Sequence, residues 1–215
     1  MSVHELKPAP KAARADDHLA PHMSGVERSF LQGILANIPA LCALTLPTKF
    51  SYGRVADGVW TGGTYAAWGR GNRETPIRVC GPPGHYHFEA RFVDGTACPH
   101  LALAAILGAG TQGIIDEVIL TSGDCRKAVA AMTEEERASL GVQATGRLGP
   151  TLADARSHLK ESKVLRSLFS DDFVDKYCAV NEVSCASVAN WSCLVTESAH
   201  RNWRRSSSPK PRKLP

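Results

Sequence analysis

The stretch from Phe50 to Leu101 gathers the residues best suited to chemistry. Arg54, Arg73, Arg78 and Arg91 all fall in it, in short extended pieces rather than on an amphipathic helix surface. Asn72-Arg73 precedes Thr75-Pro76-Ile77-Arg78, and the five-residue separation of Arg73 from Arg78 lets two guanidiniums meet one polyanion. In His87-Phe88-Glu89-Ala90-Arg91 the side chains alternate, so His87, Glu89 and Arg91 share one face while Phe88 and Ala90 turn to a core. A carboxylate between basic groups on a strand suits metal–phosphate chemistry. The glutamate would hold Mg²⁺, and the arginines would neutralise phosphate oxygens and a substrate carboxylate. The same pattern also suits a structural ladder of salt bridges, and composition alone favours that ladder.

Other motifs carry less. Gly108-Ala-Gly110-Thr-Gln-Gly113 spells a dinucleotide fingerprint, but that fingerprint works only between a strand and a helix. Here it follows an alanine- and leucine-rich helical run, so its glycines are expected to end that helix and permit close packing. His85 and His87 share a strand face without further ligands nearby and read as surface histidines rather than a metal pair. The seven cysteines are odd in number and contain no C-x-x-C pair, which argues against a disulfide framework and a zinc knuckle. Reduced thiols in a cytoplasmic protein are the expectation.

The elements that must position these residues can be traced from hydrophobic period and capping. Phe30, Leu31, Ile34, Leu35, Ile38, Leu41 and Leu44 recur at helical spacing over 26–44, with a kink expected at Pro39 and an end at Pro47. Short strands are expected at Ser51–Val55, Thr64–Trp68, Thr75–Cys80 and His85–Phe92. Pro99 then opens a nearly all-apolar helix that must be buried. Thr133 with Glu136, and Thr151 with Asp154, form capping boxes for later helices, and Ser170 caps another. The resulting class is α+β, an antiparallel sheet with flanking helices.

Length and charge bound the rest. At 215 residues and 43% hydrophobic content, one domain with loose ends is expected. The formal charge of +4 belongs to the end of the chain: six basic residues and no acid follow His200, leaving 19 basic against 21 acidic residues before it. A solvated basic tail therefore explains the charge better than a nucleic-acid face does, so no specific nucleic-acid partner is expected. The longest apolar run, Leu101–Ala109, is too short to cross a membrane, and residues 1–17 lack the apolar core of a secretory signal.

The runs HMSGVERSFLQGILANIPALCALTLPTKFSYGRVADGVWTGG, AAWGRGNRETPIRV and HFEARFVDGTACPHLALAAILGAGTQGI resemble the C-terminal part of a glutamine synthetase catalytic domain. The likeness is to the fungal FluG-type proteins in particular. It rests on the order and spacing of S-Y-x-R, W-x5-N-R-E-x-P-I-R, E-x-R-x-x-D and P-x-L-A-L-A-A-I-L-x-A-G. It implies the glutamine synthetase/guanido kinase-type fold and an ATP-dependent ligase. Such a ligase joins a glutamate-like carboxylate to ammonia or another amine through an acyl phosphate, with Mg²⁺ or Mn²⁺. By the same resemblance, Arg54 and Arg91 bind substrate, Arg73 stabilises the transferring phosphoryl group, Arg78 and His87 stand on the nucleotide phosphates, and Glu89 binds metal.

The resemblance also has departures. Trp60 stands where ammonia-using members carry a flap glutamate, His87 replaces an arginine, and Cys98 and His100 replace an Asn and a Tyr. Most of the family's metal ligands belong to segments that would precede residue 21. The expected organisation is a disordered segment over 1–20, a partial glutamine-synthetase-like domain over 21–183 and a basic, non-family tail over 184–215. The chain alone is expected to lack activity, and the alternative is a non-catalytic assembly protein that oligomerises with copies or with longer relatives.

Overall fold

Ser24 starts the main helix. Its hydroxyl accepts from Glu27 N at 3.1 Å while Ser24 N donates to Glu27 Oε2 at 2.7 Å, a reciprocal capping box that opens α1 (Gly25–Thr45). The computed structural model describes residues 1–3, 13–142 and 146–183, so the basic tail expected at 184–215 lies outside the described residues. The chain divides into two units, Met1–Asp175 and Lys176–Pro215; of the second, only the helical residues 176–183 are described. No helix among the described residues is long and apolar enough to cross a membrane.

All seven apolar positions expected on the first helix are buried, each 2% exposed or less. Pro39 lies inside α1 and does not end it. A proline there forfeits one main-chain hydrogen bond, and the burial of apolar residues on every side of the helix outweighs that loss. After α1 comes a short helical turn, α2 (Lys49–Tyr52). The strand expected at Ser51–Val55 is thus replaced by successive turn bonds, Ser51 N to Thr48 O, Arg54 N to Ser51 O and Val55 N to Tyr52 O. Local closure wins because, among the described residues, no strand pairs with this segment.

Three strands form one sheet in the order β1 (Trp68–Arg70), β2 (Ile77–Cys80), β3 (His87–Ala90). The sheet is mixed rather than antiparallel. β2 and β3 pair antiparallel with Arg78 opposite Glu89, but β1 and β2 run parallel with Trp68 opposite Ile77. The connection of six residues between β1 and β2 is sufficient because the strand is only three residues long. Six residues reach about 20 Å, twice the roughly 10 Å return along such a strand. The strand expected at Thr64–Trp68 begins only at Trp68, while Tyr65 makes an isolated bridge to Arg147. Met1 exchanges main-chain hydrogen bonds with Phe88 on the outer edge of β3, at 3.0 and 2.7 Å.

The core face of the sheet meets α1 at Phe30, and α1 packs against α3 (Pro99–Ile115). The Gly-x-Gly-x-x-Gly run lies within α3 instead of ending it, and its close-packing role holds. A Cβ on Gly113 would lie 2.7 Å from Gly33 Cα, and one on Gly110 would strike the Phe30 ring. Phe30 in turn packs on Phe88 of β3 with ring centroids 5.8 Å apart. The later helices follow their expected capping boxes: α4 (Glu134–Ser139) from Thr133 and α5 (Leu152–Glu161) from Thr151. Ser162 then caps α6 (Lys163–Phe169), and the Ser170 hydroxyl accepts from Phe173 N at the start of a helix over 171–183. Burial pushes the thiols of Cys42 and Cys125 up to about 12, so both stay protonated and inert.

Residues 13–20, expected to be disordered, are held by ionic contacts that alternation patterns do not display. The fully buried Asp16 pairs with Arg28 Nε at 3.1 Å and Arg14 Nε at 3.3 Å, and accepts from Leu120 N at 2.9 Å. Arg14 also donates to Ser29 Oγ and Val118 O, both at 3.0 Å. A buried carboxylate so fully satisfied fastens the segment to α1 and to the strand-like run after α3.

The α1–α3 contact makes a direct prediction. Gly113→Ala gains about 1 kcal/mol of helix propensity but forces two backbones apart, for a net loss of about 1–2 kcal/mol. Thermal unfolding should show a Tm lower by roughly 3–6 °C. Gly53→Ala, whose Cβ would find its nearest neighbour at 3.7 Å, should leave Tm unchanged. Equal Tm values for the two variants would refute the close approach.

Candidate active site

Strand alternation places Phe88 inward, 1% exposed, and leaves His87, Glu89 and Arg91 on the opposite face. Arg78 stands across from Glu89 on β2, and its Nη1 lies 3.1 Å from Glu89 Oε2. Arg91 Nη1 lies 2.5 Å from Glu89 Oε1. Burial pushes the Glu89 carboxyl upward, but the hydrogen bond and charge of Arg91, joined by Arg78, outweigh it and hold the group below the ordinary carboxylate range.

Arg91 does more than neutralise Glu89. Its Nε donates to Arg73 O at 3.1 Å and its Nη2 to Trp60 O at 2.8 Å. One guanidinium thereby joins β3 to two loops, residues 56–63 and 71–76. Glu74 ties the same loops from the other side, accepting from Gly58 N at 2.9 Å and from Trp60 N at 2.5 Å. Asn72 fastens the second loop outward, donating to Cys125 O at 2.7 Å and Lys127 O at 3.1 Å, and accepting from Glu74 N at 2.8 Å. The bonds at both its N–H and its carbonyl hold Trp60 at φ 60°, a conformation rare for an aromatic residue.

These loops and the segment after α2 border a cleft of about 390 Å³, whose lining includes Arg54, Trp60, Glu89, Arg91 and Asp94. Burial pushes the Asp94 carboxyl upward, yet hydrogen bonds from Ser51 and Thr96 and the charge of Arg54 together bring it below its ordinary range. The structure therefore gathers Arg54, Glu89 and Arg91 into one pocket, with Arg78 behind Glu89. Arg73 is exposed beside Arg91, which holds its carbonyl. His87 is exposed at the start of β3, outside the cleft lining.

Sequence reasoning gave no role to Asp94, Ser51 or Glu74. The signals were present in the motifs: Asp94 closes E-x-R-x-x-D and Glu74 closes Asn72-Arg73-Glu74.

In this arrangement each oxygen of Glu89 accepts from a guanidinium, leaving one lone pair on each for another partner. Among the described residues no group of three or more His, Cys, Asp or Glu side chains is placed to hold one. What the site can do unaided is hold an anion: among the described residues, the guanidinium of Arg54 makes no side-chain hydrogen bond or ion pair.

The family description "Glutamine synthetase, catalytic domain" matches residues 1–196, a wider stretch than the motifs had marked. Protein fluG of Emericella nidulans is 37% identical over 92% of this chain, which covers 22% of that protein. The gamma-glutamylpolyamine synthetase GlnA3 of Streptomyces coelicolor is 33% identical over 77% of this chain and 36% of its own length. The glutamine synthetase of Clostridium saccharobutylicum is 31% identical over 79% of this chain and 37% of its own. A solved structure described as a novel glutamine synthase homolog superposes with a TM-score of 0.59 at 31% identity, over 79% of this chain and 37% of that one. The chain thus spans between about a fifth and two fifths of the length of these relatives.

The lowered Glu89 pKa fixes a pH dependence. Glu89 contributes stability that is full above its ordinary value of 4.5 and is lost as pH falls through the lower value of the folded state. Urea unfolding should therefore show wild type more stable than Glu89→Gln at pH 7, with the difference shrinking at pH 4 and closing further at pH 3. A difference that stays constant across this range would mean that Glu89 is not ion-paired.

Proposed function

The chain belongs to the glutamine synthetase catalytic-domain family, and on that premise we propose that it is the anion-binding segment of an ATP-dependent carboxylate–amine ligase. The observation that carries this reading is the convergence of Arg54, Arg91 and the Glu89 ladder on one cleft, with Arg73 held at its edge. In the proposed reaction a glutamate-like carboxylate lies on Arg54 and its oxygen attacks the terminal phosphorus of ATP as the bond to the ADP oxygen breaks. Arg73 neutralises the phosphoryl group in transfer, and Arg78 and His87 face the nucleotide phosphates. Ammonia or another amine then bonds to the acyl carbon, loses a proton and displaces phosphate. Chemistry of this kind depends mainly on position and charge, which fixed guanidiniums supply.

The role of Arg91 is refined by its contacts. With donors directed at Glu89, Trp60 O and Arg73 O, it positions the Arg73 loop, and only its remaining N–H groups can face a substrate. A divalent ion, which the family typically uses together with ATP, has no complete site among the described residues. Charge neutralisation by this chain is accordingly the work of its arginines.

One observation favours a second reading. Glu89 is ion-paired to two arginines, as a structural ladder would have it, in keeping with a non-catalytic protein that retains part of the fold and assembles with longer relatives.

Differential scanning fluorimetry with Mg-ATP separates the two. Under the ligase reading, nucleotide at a hundred-fold excess over its Kd stabilises the chain by about 2.7 kcal/mol, and Arg73→Ala abolishes the Tm rise. No shift at millimolar Mg-ATP would count against the ligase reading. Consistent purification as a lone monomer in the presence of a longer glutamine-synthetase-like chain would count against assembly.

A further inference from the structure

The wall of the cleft that carries Trp60 is a loop fastened by two carboxylates. At its base Asp57 accepts from Thr64 N at 2.8 Å and from the Thr64 hydroxyl at 2.9 Å, and pairs with Arg147 at 3.1 Å. That clasp closes residues 57–64 on themselves but does not reach the tip. At the tip Glu74 accepts from Gly58 N through Oε2 and from Trp60 N through Oε1. The returning arm of the loop runs close by, since a Cβ on Gly63 would lie 2.8 Å from Glu74 O. Glu74 is itself anchored. Its N–H donates to Asn72 Oδ1, and Asn72 is bonded to the carbonyls of Cys125 and Lys127.

Glu74 does not line the cleft, whereas Trp60 and Arg91 do. Trp60 accepts at its carbonyl from Arg91 Nη2 at 2.8 Å. Arg91 Nε in turn donates to Arg73 O, the carbonyl of the peptide bond that leads into Glu74. The contacts therefore close a ring, from Glu74 through Trp60 and Arg91 back to Glu74. No member of a ring can swing without straining the bonds of the others. The residue type follows from the geometry: two converging N–H donors need two acceptor oxygens, which a carboxylate has and a carboxamide lacks.

We infer that Glu74 is the positioning residue of the cleft. It fixes the loop over 57–64, and through Trp60 O the guanidinium of Arg91, in the geometry that receives a carboxylate. The inference rests on the ligase reading only in naming a carboxylate as the occupant. Without this latch the loop and the Arg91 side chain must be ordered on binding, which weakens affinity.

Amide hydrogen exchange and calorimetric titration with L-glutamate, both on the full chain, test this together. In Glu74→Ala and Glu74→Gln alike, the Gly58 and Trp60 amides should exchange about tenfold faster, as expected where each loses a hydrogen bond to a charged group. Glutamate should bind both variants about tenfold more weakly than wild type. The Leu120 amide, held by Asp16, should be unchanged and reports that the fold is intact. If Glu74→Ala disturbs it, Glu74→Gln carries the test. The glutamine variant also separates positioning from space-filling, because it keeps the size of the side chain and loses one acceptor. Wild-type exchange and affinity in Glu74→Gln would overturn the inference. Glutamate bound equally by all three proteins would discard the latch and keep the ligase reading. Loss of amide protection in both variants, with a wild type that does not bind glutamate, would keep Glu74 as the anchor of the loop and discard the carboxylate pocket.

Discussion

The missing side chains of Gly33 and Gly113 are the constraint from which the rest of the architecture follows. With no Cβ on either, α1 and α3 touch backbone to backbone, and Gly110 leaves the space that the Phe30 ring fills. Phe30 then meets Phe88, which fixes the height of β3 above the helices. Because strand side chains alternate, fixing Phe88 inward also fixes Glu89 and Arg91 outward. The charged face is thus set by the packing of small and aromatic residues on the other side of the sheet. Close-packed interiors transmit such displacements instead of absorbing them, so a change at the glycines should be felt by groups that never touch them.

On the outer face the division of labour among the arginines matters more than their number. Arg78 and Arg91 are spent on Glu89, and Arg91 is further spent on two main-chain carbonyls. Arg54 and Arg73 make no side-chain ion pair among the described residues, and both are exposed. Two committed guanidiniums build a frame, and two uncommitted ones are presented by it. Ion pairs this exposed contribute little to global stability. Their effect is on geometry, holding loops whose own backbones lack regular partners.

Much of this was legible in the sequence, and the parts that were not share a cause. The periodic apolar positions of α1, the Pro99 start of α3 and the Thr133 and Thr151 capping boxes are local signals, and the structure agrees with them. The alternation across His87–Arg91 was local too, and it holds for Phe88 inward and Glu89 and Arg91 outward. Ala90, expected to face a core, is instead half-buried and lines the cleft, and His87 stands outside it. What sequence could not display were interactions whose partner is main chain or lies far along the chain. Arg91 reaches the carbonyls of Trp60 and Arg73, Asp16 reaches the N–H of Leu120 across 104 positions, and the parallel pairing of β1 with β2 depends on a tight loop. Side-chain identities at those carbonyls and N–H groups are silent about the contact. Ser51–Val55 shows the same limit from the other side: its residues suit a strand, but among the described residues no strand pairs with them.

Membership in the glutamine synthetase family and the geometry of Glu89 bear on each other. The motif E-x-R-x-x-D assigns Glu89 by resemblance to a metal, yet its position between two guanidiniums is one that electrostatics would select in the absence of any cation. A carboxylate held this way is stabilised in its ionised form and satisfied at both oxygens. To free it, both arginines must find other anions at the same moment, and phosphate oxygens are anions of the right kind. The ladder is therefore compatible with two states, one closed on itself and one opened by a phosphorylated ligand. The strut from Arg91 to the Trp60 and Arg73 loops uses its Nε and Nη2, whereas Glu89 is met by its Nη1, and Glu74 and Asn72 tie the same loops independently. In this fold a single guanidinium joins the carboxylate of the ladder to the two loops that border the cleft.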